Sequence, residues 1–190
     1  MFDIGRPSLL NRLGTDVQLG FTVRDMDKAL SYWRNALGSP PFVVIEHILQ
    51  GAVLEYKGRP VDVALTAAFT YQGDTMVELL CQSGDEPSPY VDSPHGLHHF
   101  GVWPEDQPGT VEELRSAGFI EIATIGRPGD PTPVRYMQSA DIGVTLELIP
   151  RSASRTAFYS AIQRFRRTQT DNRHFPTIAD FMAFMEGEGR

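Results

Sequence analysis

Apolar and polar residues alternate in two short stretches that resemble each other. The first covers residues 16–23 and the second covers residues 97–103. A shift of 81 residues lays the second stretch on the first, with His99 falling on Gln18. Alternation of this kind predicts a β-strand with one buried face. Its return further along the chain predicts two copies of one structural unit.

Each of these strands is followed by the pattern of an amphipathic helix. In the first copy Asp25 can cap the helix, and apolar residues recur along one face up to Gly38. In the second copy the helix is predicted at about residues 108–117. Each copy is therefore a βαβββ unit of an α+β fold. Its three further strands are predicted at 42–49, 61–71 and 75–82, and at 119–125, 133–139 and 144–149.

Stretches rich in glycine and proline divide the chain. Residues 158–185 hold ten large apolar or aromatic side chains, too many for a disordered tail. We expect two helices there, at least one of which borders the cleft of the modules and narrows it. The predicted parts are an N-terminal arm (1–15), a first βαβββ module (16–82), a linker (83–96), a second βαβββ module (97–150) and a C-terminal helical extension (151–190).

Composition narrows the range of partners. The net charge of −7 argues against nucleic acid, which needs clustered basic residues. We interpret Arg164, Arg166 and Arg167 as a solvated helix face. No apolar run approaches the roughly 20 residues of a membrane span, and the N-terminus lacks a signal-peptide pattern, so we expect a cytoplasmic protein without a membrane partner. The single cysteine, Cys81, excludes an internal disulfide and a thiolate cluster.

Four polar residues stand on the strand faces that point away from the predicted helices. They are Gln18, Glu78, His99 and Glu147, with Gly20 and Gly101 leaving space beside them. Two glutamates that face one cleft repel each other, which raises at least one pKa unless a cation neutralises them. An amide oxygen, an imidazole nitrogen and two carboxylates suit a divalent ion with open water positions. The sequence therefore predicts a metal centre.

At these residues the chain resembles the vicinal oxygen chelate superfamily, over about residues 16–150. That superfamily includes glyoxalase I, methylmalonyl-CoA epimerase, ring-cleaving dioxygenases and bleomycin-resistance proteins. The resemblance implies that the two modules form a cupped mixed sheet. It also implies one divalent ion, whether zinc, nickel, cobalt, manganese or magnesium, held by the first and last strands of each module.

The resemblance points to two branches of the superfamily. The order Gln, Glu, His, Glu looks like that of glyoxalase I, whereas Gly-Leu-His-His and the stretch from Glu78 to Pro89 look like the epimerases. Thr22 and His95 replace the arginines that hold glutathione in glyoxalase I, so a glutathione substrate is not expected. Asp62 falls near the second carboxylate base of the epimerases. Of the adjacent histidines, alternation selects His99 as the ligand and turns His98 toward the helix layer or module edge.

By resemblance, we expect a metal-dependent isomerase, epimerase or lyase that chelates a small carbonyl substrate. It would remove a proton alpha to the carbonyl through a metal-stabilised enediolate, with Glu147 as the first candidate base and Glu78 as the second. One alternative is a binding protein of the bleomycin-resistance type. Another is an iron-dependent oxygenase, which Gln18 disfavours because a second histidine is usual there. Superfamily members usually dimerise, so we expect a homodimer.

Overall fold

The computed structural model describes residues 17–188, so the predicted N-terminal arm and Asp16 lie outside the described residues. Within them the chain forms eleven strands and four helices. The strands are β1 (Val17–Thr22), β2 (Val43–Ile45), β3 (Val53–Tyr56), β4 (Arg59–Val61), β5 (Ala64–Gln72), β6 (Thr75–Ser83), β7 (Gly96–Val102), β8 (Ile120–Gly126), β9 (Val134–Ser139), β10 (Val144–Leu148) and β11 (Arg173–Phe175). The helices are α1 (Met26–Asn35), α2 (Gln107–Ser116), α3 (Ala153–Thr168) and α4 (Ile178–Gly187).

All eleven strands belong to one mixed sheet, in the order β11-β2-β5-β6-β1-β7-β10-β9-β8-β3-β4. The first strand of each module runs parallel to the last strand of the same module, β1 to β6 and β7 to β10. The two first strands, β1 and β7, pair antiparallel at the centre of the sheet. The two modules of one chain therefore join edge to edge about a pseudo-twofold axis. This arrangement confirms the predicted fold class.

The first module differs from the prediction between its second and third strands. The strand predicted at 42–49 is limited to β2, and the strand predicted at 61–71 begins only with β5. The residues between them form the hairpin β3–β4, which pairs with β8 at the far side of the sheet. Its two-residue turn places Lys57 and Gly58 at positive φ, as hairpin turns require. The sequence pattern did not predict this hairpin, because its strands are only four and three residues long.

Helices α1 and α2 cover the convex face of the sheet, one under each module. The Asp25 side chain accepts a hydrogen bond from the Lys28 amide at 3.0 Å, which confirms the predicted cap of α1. Under the first module, Leu30 packs with Val77 and Leu79. Under the second module, Leu114 packs with residues of β7, β9 and β10. The polar faces of the four predicted site strands are consequently left on the opposite, concave side.

The C-terminal extension packs into the concave side. Phe158 and Ile162 of α3 belong to the same buried cluster as Phe69 and Tyr136 of the sheet. The rings of Phe158 and Phe69 meet edge to face at 5.4 Å. The extension also adds an unpredicted edge strand, β11, which pairs parallel with β2. None of the helices in residues 17–188 is long and apolar enough to cross a membrane.

The arginine cluster of α3 is not simply a solvated face, contrary to the sequence interpretation. Arg166 donates to the carbonyls of Tyr71 and Gly73 at 2.8 Å each, which ties α3 to the β5–β6 turn. Arg164 donates to the carbonyl of Met185 at 2.7 Å, which ties α3 to α4. Arg164 and Arg166 therefore hold α3 to neighbouring elements through hydrogen bonds to backbone carbonyls.

Candidate metal centre

Strand register brings the four predicted polar residues to one point on the concave face. In the central pairing, Gly20 lies opposite His99 and also opposite Glu78 on the other side of its strand. Its counterpart Gly101 lies opposite Gln18 and Glu147. Each glycine therefore stands between two of the polar side chains. The pseudo-twofold axis relates the two halves of the cluster.

The polar atoms of the cluster lie within contact distance of each other. His99 Nε2 lies 3.2 Å from Glu78 Oε2 and 3.1 Å from Glu147 Oε2. Gln18 Nε2 donates to Glu78 Oε2 at 2.6 Å and lies 3.5 Å from Glu147 Oε2. All four side chains are buried, with Gln18 and His99 each only 1% exposed. The sequence reading named all four, and the structure brings all four together.

The two glycines are needed because the side chains fold back over the strands. A Cβ atom on Gly20 would lie 2.0 Å from His99 Cε1, closer than any real contact. A Cβ atom on Gly101 would lie 2.9 Å from Gln18 Cβ and 3.3 Å from Glu147 Oε2. The lack of a side chain at these positions is what lets the cluster form on the sheet surface.

His98 departs from the sequence expectation. The β1–β7 register shifts after Gly20, so that His99 pairs with Gly20 and Leu97 with Phe21, and His98 is the extra residue of a β-bulge. A bulge re-aims the side chain that it inserts. His98 consequently turns its Nδ1 to within 2.9 Å of His99 Nδ1 instead of pointing to the helix layer or module edge.

The contacts of His98 fix the role of His99 Nδ1 as a donor. His98 Nε2 lies 2.9 Å from the carbonyl oxygen of Pro89, which can only accept, so His98 Nε2 donates. Burial lowers the pKa of His98 to about 4, so its ring is neutral and its Nδ1 accepts. His99 Nδ1 must then be the donor to His98. The remaining nitrogen, His99 Nε2, faces the two carboxylates, as a metal-ligating nitrogen should.

Tyr136 is a residue of the site that the sequence reading missed. It lies directly opposite Glu147 in the β9–β10 pairing, and its hydroxyl donates to Glu147 Oε1 at 2.8 Å. Tyr90 of the linker stacks edge to face on Tyr136. A tyrosine in an alternating strand gives no signal of its own, because aromatic residues are common in any strand.

The two carboxyls of the cluster titrate differently. Burial raises the pKa of Glu78, and the charge of Glu147 adds to this effect. For Glu147, burial acts in the same direction, but the charge of His99 and the Tyr136 hydroxyl outweigh it and lower the pKa. Burial alone would lower the pKa of His99, yet the two carboxylates raise it to about 10. The cluster therefore favours a positive charge at its centre, as the repulsion argument predicted.

The residues present fit a divalent cation. Glu78, His99 and Glu147 each offer a ligand atom, and these atoms lie within 4.8 Å of one another. Gln18 Oε1 is buried without a hydrogen-bond partner within residues 17–188, and His99 Nε2 faces both carboxylates without a well-aligned hydrogen bond to either. A buried acceptor without a partner is costly, and a cation is a partner that an amide oxygen can take. The cluster is a group that could hold a metal.

The remaining predicted positions lie away from this cluster. Asp62 is exposed between β4 and β5 and borders a separate cavity of about 750 Å³ beside His47. Its suggested role as a base stays a prediction. Thr22 is buried, with its hydroxyl 3.4 Å from the carbonyl of Pro94, and His95 is exposed.

Comparison with known proteins agrees with this arrangement. The family described as the Glyoxalase/Bleomycin resistance protein/Dioxygenase superfamily matches residues 17–136. No protein of curated function matches the chain. Among solved structures, a hypothetical protein from Bacillus halodurans C-125 is 18% identical with a TM-score of 0.51, over 71% of this chain and 92% of its own. The methylmalonyl-CoA epimerase from Mycobacterium tuberculosis is 19% identical with a TM-score of 0.51, over 76% and 93% respectively.

At these identities the two solved structures show a shared fold and no more. The family match is broader, because it covers more than half of the chain and includes β1, β6, β7 and part of the second module. Together with the paired modules, it shows that the chain belongs to the glyoxalase, bleomycin-resistance and dioxygenase superfamily of vicinal oxygen chelate proteins.

Proposed function

We propose that this protein is a metal-dependent isomerase or epimerase, or a lyase of the same chemistry, that removes a proton alpha to the carbonyl of a small substrate. The observation that carries the proposal is the buried cluster itself: His99 Nε2 lies 3.2 Å and 3.1 Å from two buried carboxylates, and Gln18 Oε1 has no hydrogen-bond partner within residues 17–188. A purely structural polar cluster would satisfy this amide oxygen internally. Gln18, Glu78, His99 and Glu147 would hold the ion.

Four ligands, of which one is a nitrogen and three are oxygens, suit zinc, nickel, cobalt, manganese or magnesium with positions open to substrate oxygens. When bound, such an ion supplies positive charge that stabilises the negative charge developing on the substrate carbonyl oxygen. The chain must then provide the base that takes the proton. Both glutamates are candidates.

Hydrogen bonding distinguishes the two glutamates. Each has one residue directly opposite it on the neighbouring antiparallel strand, which is Tyr136 for Glu147 and Phe69 for Glu78. The Tyr136 hydroxyl holds Glu147 Oε1, whereas Phe69 has no hydroxyl to offer. Within residues 17–188, the hydrogen bonds and ion pairs that Glu78 makes all go through Oε2.

We therefore favour Glu78 as the proton-transferring base and Glu147 as the fixed ligand, although the sequence alone ranked Glu147 first. A carboxylate that is held on one side only can rotate away from the ion and accept a proton. A carboxylate clamped by a buried tyrosine is restricted to one orientation. Phe69 and Tyr136 thus set different roles for two residues that the module repeat makes equivalent.

The substrate should be small. Helix α3 packs into the concave face and leaves less room there for a ligand. Its Phe158 packs on Phe69, which lies directly opposite Glu78. A cavity of about 350 Å³ remains between α3 and the sheet, and its lining includes Met76, two residues before Glu78. Ligand pockets range from about 300 to 1,000 Å³, so this one is near the lower limit. Thr22 and His95 leave no arginine at the positions that hold glutathione in glyoxalase I.

Metal content tests the first half of the proposal. Protein purified without chelators should contain about one divalent ion per chain by mass spectrometry. His99→Ala should lose most of it, and His47→Ala, an exposed histidine, should not. A chain that contains no metal after dialysis against each candidate ion, but still binds apolar compounds, would instead be a sequestration protein of the bleomycin-resistance type.

Proton exchange tests the second half. In heavy water, the metal-loaded protein should exchange the alpha proton of one or more small oxo acids, as followed by proton NMR. Glu78→Gln, whose amide oxygen can still act as a ligand, should abolish exchange in protein saturated with metal, and Phe69→Tyr, which offers Glu78 the hydroxyl that Glu147 already has, should slow it. Tyr136→Phe should weaken metal binding more than exchange. If Glu78→Gln exchanges normally and Glu147→Gln does not, the assignment of the base is wrong.

A further inference from the structure

The cavity of about 350 Å³ joins the C-terminal extension to the metal-binding layer of the sheet. Met76, on its floor, lies directly opposite Gln18 in the β1–β6 pairing and two residues before Glu78. Successive residues of a strand lie about 3.3 Å apart along its axis, so Met76 lies about 7 Å from Glu78 along β6. Its lining includes Tyr71, Met76, Trp103, Arg151, Arg155 and Tyr159.

The walls that the extension contributes are cationic and rich in hydroxyl groups. Arg155 is half-buried and donates through Nη1 to the carbonyl of Pro150 at 3.2 Å. That is the one hydrogen bond its guanidinium makes within residues 17–188, so several of its five donors remain for a ligand. Arg151 borders the same cavity and donates through Nε to the carbonyl of Trp103. Among residues 17–188, Asp74 is the one acidic residue of the lining, so this described part of the lining has a positive formal charge.

Tyr159 is an aromatic residue that α3 adds to the same lining. Its ring meets that of Trp103 edge to face at 5.3 Å. Burial raises the pKa of its hydroxyl well above the ordinary value, and the charges of Glu147 and Glu78 add to this, while Arg155 opposes it.

We infer that this cavity is the subsite for an anionic group of the substrate, bound by Arg155 and reached from the metal centre across about 7 Å. The inference rests on the proposed function and narrows it to one substrate class. That class is a short oxo or hydroxy acid whose chelating oxygens face the cluster and whose carboxylate or phosphate group lies against the C-terminal extension. Arginine suits both anions, because its planar fork binds two of their oxygens at once.

The two tryptophans of the chain provide an internal reporter and its control. Trp103 borders the cavity, whereas Trp33 packs between Phe21 and Phe42 at the convex face. In protein labelled with 5-fluorotryptophan, malonate should shift the fluorine signal of Trp103 in a saturable manner and leave that of Trp33 in place. Malonamide, an uncharged analogue of the same shape, should not shift either. A parallel titration with inorganic phosphate distinguishes a phosphate-bearing from a carboxylate-bearing substrate.

The variants compare two arginines of the same helix. Arg155→Gln should weaken malonate or phosphate binding at least tenfold, whereas Arg167→Gln, which removes the same charge from an exposed position, should leave it within twofold. Equal effects of the two variants would overturn the inference, and so would equal shifts with malonamide or no shift with either anion.

Metal-free and metal-loaded protein separate the subsite from the metal site. Anion binding by chelator-treated full-length protein would support the subsite even if the metal proposal failed. Binding that requires the metal would mean that the anion is a ligand of the ion, which overturns the subsite and leaves the metal proposal intact. Metal content is measured on each sample, so the two failures are distinguishable.

Discussion

Replacing Gly20 by alanine is the sharpest test of how the sheet builds the metal centre. The added carbon would lie 2.0 Å from His99 Cε1, 2.3 Å from Nε2 and 2.5 Å from Nδ1. Carbon atoms in contact normally lie about 3.5–4.0 Å apart, so the ring must recede by about 1.5 Å. The ring has little freedom to do so without losing its place, since His98 contacts one nitrogen and two carboxylates face the other.

A displacement of this size should remove His99 from the ligand set. Metal–ligand distances are fixed to within about 0.2 Å. Loss of an outer-shell partner alone typically costs about 10- to 100-fold in metal affinity, so loss of a direct ligand should cost about 100-fold or more. Affinity is measured by competition with a chromophoric chelator, and folding is measured by thermal unfolding of the same sample.

Gly101→Ala is the matched control, because the pseudo-twofold axis relates the two glycines. Its added carbon would lie 2.9 Å from Gln18 Cβ and 3.3 Å from Glu147 Oε2, a milder overlap with more flexible side chains. We expect a loss of about tenfold or less in metal affinity there. If Gly20→Ala binds metal within about threefold of the unchanged protein, the ring is not held as described and the argument fails.

A double variant distinguishes a lost ligand from a damaged fold. Overpacking costs about 1–3 kcal/mol of stability. If the His99 ring is the obstacle, Gly20→Ala should cost almost nothing in a His99→Ala background, and those two proteins should unfold within about 0.5 kcal/mol of each other. If Gly20→Ala still lowers the free energy of unfolding in that background, the strain lies within strand β1 and not against the His99 ring.

Four further predictions concern neighbouring parts of the molecule. His98→Ala should weaken metal binding about tenfold, less than His99→Ala, since it removes only an outer-shell partner; equal losses by chelator competition would contradict this. Phe158→Ala should lower the free energy of unfolding by about 3–5 kcal/mol in urea, because its buried ring packs on Phe69, and a negligible loss would mean that α3 does not fill the concave side. Lys57 and Tyr56 lower the pKa of Asp92. This contact therefore stabilises the fold above about pH 4, and the stabilisation is lost as the pH falls through the lowered pKa. In Asp92→Asn the melting temperature should consequently change less with pH between about pH 3 and 6 than in the unchanged protein. We propose a homodimer, since superfamily members usually dimerise and the sheet is open at both edges, β4 and β11; light scattering at micromolar concentration that gives a monomer would refute it.

The sequence predicted the site well because strand period and module repeat are both long-range rules. Gln18 and His99 are equivalent under one shift of the chain, and alternation puts each on the same face as its glutamate. The pairing of the two modules came from the family resemblance, and given that pairing the equivalent strands bring the four side chains together. The helices under the modules were predicted for the same reason, as at Leu30 and Leu114.

The features that escaped prediction depend on single local exceptions to those rules. Alternation placed His98 on the wrong side because a bulge inserts one residue, and nothing in Gly96-Leu97-His98-His99 marks it. The hairpin β3–β4 depends on Lys57 adopting positive φ, which sequence statistics disfavour for lysine. Arg166 was assigned to solvent because its carbonyl partners, Tyr71 and Gly73, lie more than ninety residues away.

The difference between the two modules matters more for chemistry than their likeness. The module repeat places two equivalent carboxylates, Glu78 and Glu147, at the site. The proposed reaction needs one of them as a fixed ligand and the other as a base, so their surroundings must differ. Tyr136 fixes Glu147 in the second module, and Phe69 leaves Glu78 without such a clamp in the first. The C-terminal extension packs on that same first-module side, through Phe158 against Phe69. Under the proposed function, the helix that limits the size of the substrate would also keep an apolar surface beside Glu78, the carboxylate that moves, and a hydroxyl at position 69 would disturb both.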